Sequence, residues 1–203
     1  MENTIVDARN KPCPQPVILT KKALEQIKEG RVITLVDNEV ARDNVEKFVK
    51  SQGLKCSINQ KGNYFELSIL KENNAQGIRA DVAPEGITCN SIQDDYVVLV
   101  SRDTFGEGLE ELGRVLLKNY LYTLTEIENL PKAILFVNGG VKLTTEGASS
   151  IETIKELEDM GVEILSCGTC LDYYKLKDKL KVGKVTNMYE IVERTTKMRT
   201  INL

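Results

Sequence analysis

Histidine and tryptophan are both missing from this 203-residue chain. Without histidine there is no Ser-His-Asp or Cys-His catalysis, no imidazole metal ligand and no histidine proton shuttle. Aromatic residues amount to only 5%, and no basic stripe accompanies them, which speaks against nucleic-acid binding. No apolar run approaches the roughly 20 residues of a bilayer-spanning helix, so no membrane association is expected. Met1-Glu2-Asn3-Thr4 is acidic and polar, unlike the start of a secretory signal. Neither a Walker pattern nor GxGxxG occurs, so nucleotide binding has no support. Chemistry is left to Cys, Asp/Glu, Lys/Arg, Ser/Thr, Tyr and the backbone.

Apolar residues make up 41% of the chain and the formal net charge is −3. A core can form, and the length suits one large domain or two of roughly 70–110 residues. The cysteines are Cys13, Cys56, Cys89, Cys167 and Cys170. An odd number, with no signal segment in view, predicts reduced thiols and a cytoplasmic protein. One CxxC pair, Cys167-Gly-Thr-Cys170, falls short of the ligand set of a structural zinc, so no metal and no organic cofactor is expected.

Periodicity divides the chain. Residues 4–9 read as a strand, 17–28 as a helix with Val17, Thr20, Ala23, Leu24 and Ile27 inward, and 32–36 as a β-branched strand. A second helix is predicted over 40–52, with Ala41, Val45, Phe48 and Val49 buried and Gly53 as its stop. Leu54, Cys56 and Ile58, then Phe65, Leu67 and Ile69, alternate with polar residues on either side of Lys61-Gly62-Asn63, as in a hairpin. Residues 1–71 therefore predict a two-layer βαβαββ sandwich. Residues 72–94 lose the periodicity and read as a linker. Residues 95–203 alternate strands (96–101, 133–137, 162–166, 183–186, 199–202) with helices (109–125, 149–160, 171–180, 188–197), which predicts an α/β domain with a mostly parallel sheet. Helix 109–125 is expected to bury Leu109, Leu112, Leu116 and Tyr120. Residues 1–71 hold 12 basic and 9 acidic side chains, and residues 72–203 hold 15 and 21, so the two parts differ in sign.

Cys13 stands in Lys11-Pro12-Cys13-Pro14-Gln15-Pro16, just before the first helix. Proline is favoured in a helix's first turn, where its missing N–H is no loss. The thiol is therefore expected at a helix amino terminus, where the macrodipole and free N–H groups favour a thiolate, with Arg9, Lys11, Lys21 and Lys22 adding positive charge. Such a cysteine is nucleophilic without histidine. The plainer reading is an exposed helix-start cysteine without a role. Cys56 alternates with Leu54 and Ile58 and reads as core packing, while Cys89 lies in the linker.

The stretch Asp7-Ala8-Arg9-Asn10-Lys11-Pro12-Cys13-Pro14-Gln15-Pro16, with Ala23 beyond it, resembles the CPxP motif of the TusA/SirA-like sulfur carriers. The resemblance covers residues 1–71. It implies that Cys13 carries a persulfide and that Pro14 and Pro16, with Asp7 and Arg9 nearby, shape its loop. Asn10 stands where the family usually has glycine. Asparagine tolerates positive φ better than most residues, so the turn is expected to survive.

Cys167 and Cys170 follow a buried strand at its carboxyl end, where ligands of parallel sheets bind. A thioredoxin-type pair is disfavoured, because no proline follows Pro131 to face the thiols and Ser166 precedes Cys167. Residues 96–203 instead resemble the DsrE-like sulfur-handling family, through Asp103-Thr104-Phe105-Gly106-Glu107-Gly108, Leu112-Gly113-Arg114, Phe136-Val137-Asn138-Gly139-Gly140-Val141-Lys142 and the CxxC pair. In some members a cysteine in the last segment accepts sulfur; either Cys167 or Cys170 fits. The backbone around Asp103, Gly106, Gly108, Asn138, Gly139 and Gly140 could receive an anion, or the glycines simply permit tight turns. The order of the two halves resembles the YedF-type proteins linked with selenium metabolism.

These readings predict a persulfide carrier, for sulfur or selenium, loaded at Cys13 by a donor such as a cysteine desulfurase and unloaded onto an acceptor. Cys167/Cys170 is the candidate internal acceptor or an adjacent redox site; the plainer reading is a packed strand-end thiol pair. The label of enzyme, as a sulfurtransferase, is marginal, since such carriers turn over through partners. Self-association is expected from the DsrE-like resemblance. The alternatives are a non-catalytic regulatory or RNA-binding module and a thiol–disulfide regulator using Cys167/Cys170.

Overall fold

Alternating burial along the central strands organises the first of two sheets. In the computed structural model, which describes residues 3–72 and 95–203, the first part of the chain runs β1 (Asn3–Asp7), α1 (Gln15–Gln26), β2 (Gly30–Val36), α2 (Glu39–Ser51), β3 (Lys55–Lys61) and β4 (Tyr64–Lys71). The strands lie in the order β1-β2-β4-β3, with β1 parallel to β2 and the other pairs antiparallel. This is the expected βαβαββ sandwich. Both helices cover one face, where Val32, Val36, Leu67 and Ile69 pack against Ala23, Leu24, Ile27, Val45 and Val49. The Asn38 side chain accepts from the Ala41 N–H and so starts α2. Gly53, at φ 70°, ends it, with Leu54 N–H reaching back to the Val49 carbonyl.

Because β1 and β2 are parallel and each leads into a helix, the starts of α1 and α2 lie side by side at one edge of the unit. A buried hydroxyl chain pins the first of these. Thr20 Oγ1 donates to the Pro16 carbonyl at 2.8 Å and lies 3.0 Å from Thr34 Oγ1 on β2.

The second part runs β5 (Tyr96–Val100), α3 (Glu110–Leu124), β6 (Ala133–Phe136), a 3-10 helix (Asn138–Thr144), α4 (Ile151–Asp159), β7 (Glu163–Cys167), α5 (Gly168–Tyr173), a 3-10 turn (Lys177–Lys179), β8 (Lys184–Thr186), α6 (Met188–Lys197) and β9 (Arg199–Asn202). All pairings in the sheet β8-β7-β6-β5-β9 are parallel. One face carries Val98, Val100, Ile134, Phe136 and Ile164 into a core with Leu117 and Leu121 of α3 and Ile154 of α4. The other carries Val97, Ala133, Leu135, Leu165 and Cys167 against Ile191 of α6. The chain divides into two compact units, one for each sheet. Residues 73–94 of the expected linker, with Cys89, lie outside the described residues. Among the described residues no helix is long and apolar enough to cross a membrane.

Two elements differ from expectation. Helix α3 buries Gly113, Leu117, Leu121 and Leu124, while Leu109, Leu112 and Leu116 are exposed and Tyr120 is half-buried. The helix has apolar residues on more than one face, and Gly113 decides between them. A Cβ there would come within 2.8 Å of Thr104 Cβ, and the Gly113 carbonyl accepts from Phe105 N–H at 2.9 Å. The close approach of the 101–108 loop turns the glycine side inward. The helix expected over 171–180 is instead the six-residue α5. Leu176 N–H bonds back to the Leu171 carbonyl across Lys175, which sits at φ 56°, and this closure folds Leu176 onto the core.

Candidate functional site

Cys13 is exposed, two residues ahead of α1, with Pro14 at the helix N-cap and Pro16 buried in its first turn. It lines a cavity of about 170 Å³ shared by Lys11, Pro12, Pro14, Pro16 and Val17 on one side and Asn38, Val40, Ala41 and Asn44 on the other. The second group comes from α2, and nothing in the spacing around Cys13 announces it. Asn38 is legible as a helix cap, but only the parallel β1–β2 pairing carries that cap to the cysteine. The walls are mostly apolar.

The free N–H groups expected beneath Cys13 are taken. Gln15 N–H donates to the Pro12 carbonyl, Pro16 has none, and Val17 and Ile18 both donate to the Pro14 carbonyl. What remains to favour an anion is the field of the helix axis and the ammonium of Lys11. Two of the other cations expected there pair with carboxylates. Lys21 pairs with Glu25. Arg9 grips Asp7 at 2.7 Å and lies 5.3 Å from the centre of the Tyr64 ring.

Asp7 and Arg9 are joined to each other just ahead of the turn that leads to Cys13. Both the side chain and the backbone N–H of Arg9 donate to the Asp7 carboxylate. These bonds, the side-chain one foremost, hold the Asp7 carboxyl down at about 2. Asn10 takes φ 58°, and its N–H donates to Asp37 Oδ2 at 2.6 Å. Asp37 is a residue the sequence reading missed: it ties the turn after β1 to the end of β2. Its carboxyl is also pushed down, first by that Asn10 N–H and then by the Asn38 side chain. Asp7, Arg9, Asn10, Asp37, Asn38, Asn63 and Tyr64 border a polar depression of about 470 Å³.

In the second unit, Cys167 closes β7 and Cys170 lies one helical turn on, in α5. Cys167 is buried, 1% exposed, and Cys170 is half-buried. Cys170 packs against the apolar cluster that contains Cys167. The backbone N–H of Asn138, itself at φ 46°, donates to Cys170 Sγ at 3.1 Å. Tyr174 Oη donates to Asn138 Oδ1 at 2.9 Å and steadies that loop. Burial pushes the Cys170 thiol up, the Asn138 N–H opposes this, and the neighbouring Cys167 adds to it.

Asp103, Gly106, Gly108, Asn138 and Gly139 border a depression of about 400 Å³ at the carboxyl ends of β5 and β6. Gly140 does not line it; a Cβ there would sit 2.2 Å from the Val100 carbonyl oxygen, so this glycine serves close packing. The depression also carries Arg102, Glu107 and Glu110, and Arg102 is paired with Glu107 at 3.0 Å. With three carboxylates and one guanidinium at its walls, it is poorly suited to an anion. Cys56 is half-buried against the first core, and burial pushes its thiol up. Among the described residues no three of Cys, Asp or Glu stand together as a metal site would require.

Residues 4–71 match the family model described as sulfurtransferase TusA. The N-terminal unit is a TusA/SirA-like domain. Over 49 residues the chain is 39% identical to MJ0990 of Methanocaldococcus jannaschii, provisionally named a sulfur carrier protein. That match covers 24% of this chain and 65% of the relative. A SirA-like protein from Desulfitobacterium hafniense is 34% identical; the match spans 33% of this chain and 95% of the other, with a TM-score of 0.32. A protein of unknown function, MTH1491 from Methanobacterium thermoautotrophicum, is 21% identical over 54% of this chain and all of its own length, with a TM-score of 0.43.

Proposed function

We propose that the chain is a persulfide carrier for sulfur or selenium, working through Cys13, with a place in selenium metabolism. In this reading the Cys13 thiolate attacks the outer chalcogen of a donor persulfide, of the kind a cysteine desulfurase forms. The bond between the donor's two chalcogens breaks, and the donor leaves as a thiolate. Cys13 then presents its outer sulfur to an acceptor thiol. One observation carries the reading: in a TusA/SirA-like unit, the sole cysteine before α1 is open to solvent on the rim of an apolar cavity. The cavity gives a partner's apolar side chain somewhere to dock beside the reacting sulfur, and Lys11 lies beside the transferred anion. The C-terminal unit, read as DsrE-like, supplies a second thiol site at Cys167/Cys170, and self-association belongs to the same reading. An RNA-binding role gains nothing from the walls of either depression.

The test is intact-mass analysis and peptide mapping after incubation with a cysteine desulfurase and cysteine. The wild-type chain is expected to gain one sulfur on Cys13, and Cys13→Ser to lose that adduct. Alkylation of the unloaded chain should label Cys13 before Cys170, and both before the buried Cys167. An adduct that persists undiminished in Cys13→Ser moves the entry point elsewhere, and a Cys13 that resists alkylation in the folded chain removes the carrier chemistry.

A further inference from the structure

The CxxC pair is asymmetric. Cys167 sits in the apolar cluster formed with Leu135, Leu165 and Ile191 and is 1% exposed. An added sulfur on it would have to displace packed side chains. Cys170 is half-buried and accepts the Asn138 N–H, and Asn138 also borders the open depression of about 400 Å³. Of the two sulfurs, that of Cys170 is therefore the more accessible to an incoming donor. Cys170 packs against the same apolar cluster that holds Cys167, one helical turn away.

We propose that Cys170 is the loading thiol of this unit and Cys167 its resolving thiol, so that the pair releases the chalcogen as hydrosulfide or hydroselenide rather than storing it. This rests on the reading above that the second unit accepts chalcogen. The step balances within the pair. The sulfur of Cys167 attacks the inner sulfur of the Cys170 persulfide anion, and a Cys167–Cys170 disulfide bond forms. The bond to the outer sulfur breaks, and that sulfur leaves with the electron pair and the Cys167 proton as hydrosulfide. The outer sulfur is reduced and the two cysteines are oxidised by the same two electrons. A low-molecular-weight thiol or a dithiol reductase restores the pair by exchange. The C-x-x-C spacing at the start of α5 makes the release intramolecular, which sets it far ahead of attack by an external thiol. Asn138 is the positioning residue, since its N–H directs Cys170 Sγ while Tyr174 fixes its loop.

The experiment treats the full chain with glutathione persulfide under anaerobic conditions, measuring free sulfide and mapping each cysteine. Wild type is expected to give one sulfide for each Cys167–Cys170 disulfide formed. Cys167→Ala, the change best tolerated in an apolar cluster, should keep one extra sulfur on Cys170 and release sulfide about tenfold more slowly or worse. Cys170→Ser should do neither. A persulfide that persists on Cys170 in wild type, sulfide release unaltered in Cys167→Ala, or loading of Cys167 in Cys170→Ser each overturns the proposal. The wild-type stoichiometry decides it even if a variant misfolds. Loading of Cys13 by the desulfurase is followed in parallel. Loading there without sulfide release from the pair sinks this inference alone, whereas absence of loading at Cys13 sinks the carrier reading and leaves the pair's chemistry to be judged by the sulfide count.

Discussion

Three prolines surround Cys13, and the chain there has few backbone donors left to bond the sulfur. The remaining N–H groups turn back onto the Pro12 and Pro14 carbonyls, so the thiol meets solvent and the apolar rim instead of a ring of amides. The turn leading to it depends on carboxylates. Asp7 is held at about 2, from an ordinary 3.8, chiefly by the Arg9 side chain. A depressed carboxyl supports the folded turn only while ionised. That support is complete above the ordinary 3.8 and is lost as pH falls through about 2. In Arg9→Gln the Asp7 midpoint, followed by NMR titration, is expected to rise toward its ordinary value. Because both side chains are exposed, stability at neutral pH should change little. A midpoint indifferent to the substitution would show that Arg9 is not what holds Asp7 down.

At the scale of elements, α3 separates pattern from packing. Leu116 and Leu117 are neighbours in sequence with nearly opposite fates: 42% and 1% exposed. Truncating Leu117 to Ala removes core and should cost about 2–5 kcal/mol. The same change at Leu116 should cost under about 1 kcal/mol. Urea unfolding of the two variants checks the register of the helix directly, and equal losses would mean that α3 is rotated from the face described. The stub helix α5 follows a related rule. The chain after Tyr173 turns back, with Leu176 N–H on the Leu171 carbonyl and Leu176 packed on the core, instead of continuing the helix outward.

At the scale of the molecule, each unit closes its own sheet and fills its own core. A fragment of residues 1–72 is therefore expected to unfold cooperatively in urea by itself, although a core of this size leaves a modest margin. Circular dichroism with no unfolding transition would show that the first unit needs the second. Residues 1–71 carry an excess of basic side chains and residues 72–203 an excess of acidic ones, so the units offer fields of opposite sign to partners.

The residue pattern alone determined the two-part α/β architecture, the βαβαββ element order of the N-terminal part and the start of α1 at the cysteine, because burial period and proline placement are local properties. The turn at Asn10 came through the family resemblance, since asparagine stands there in place of the usual glycine and takes φ 58°. Proximity was not legible. Asp37 beneath Asn10, Asn38 and Val40 facing Cys13, and Asn138 bonded to Cys170 meet only because parallel strands bring separate loops to one edge. Nor could sequence choose which apolar stripe of α3 turns inward or which cysteine of the CxxC pair stays open. Those outcomes follow from side chains competing for one interior, and that competition is settled by the tertiary structure.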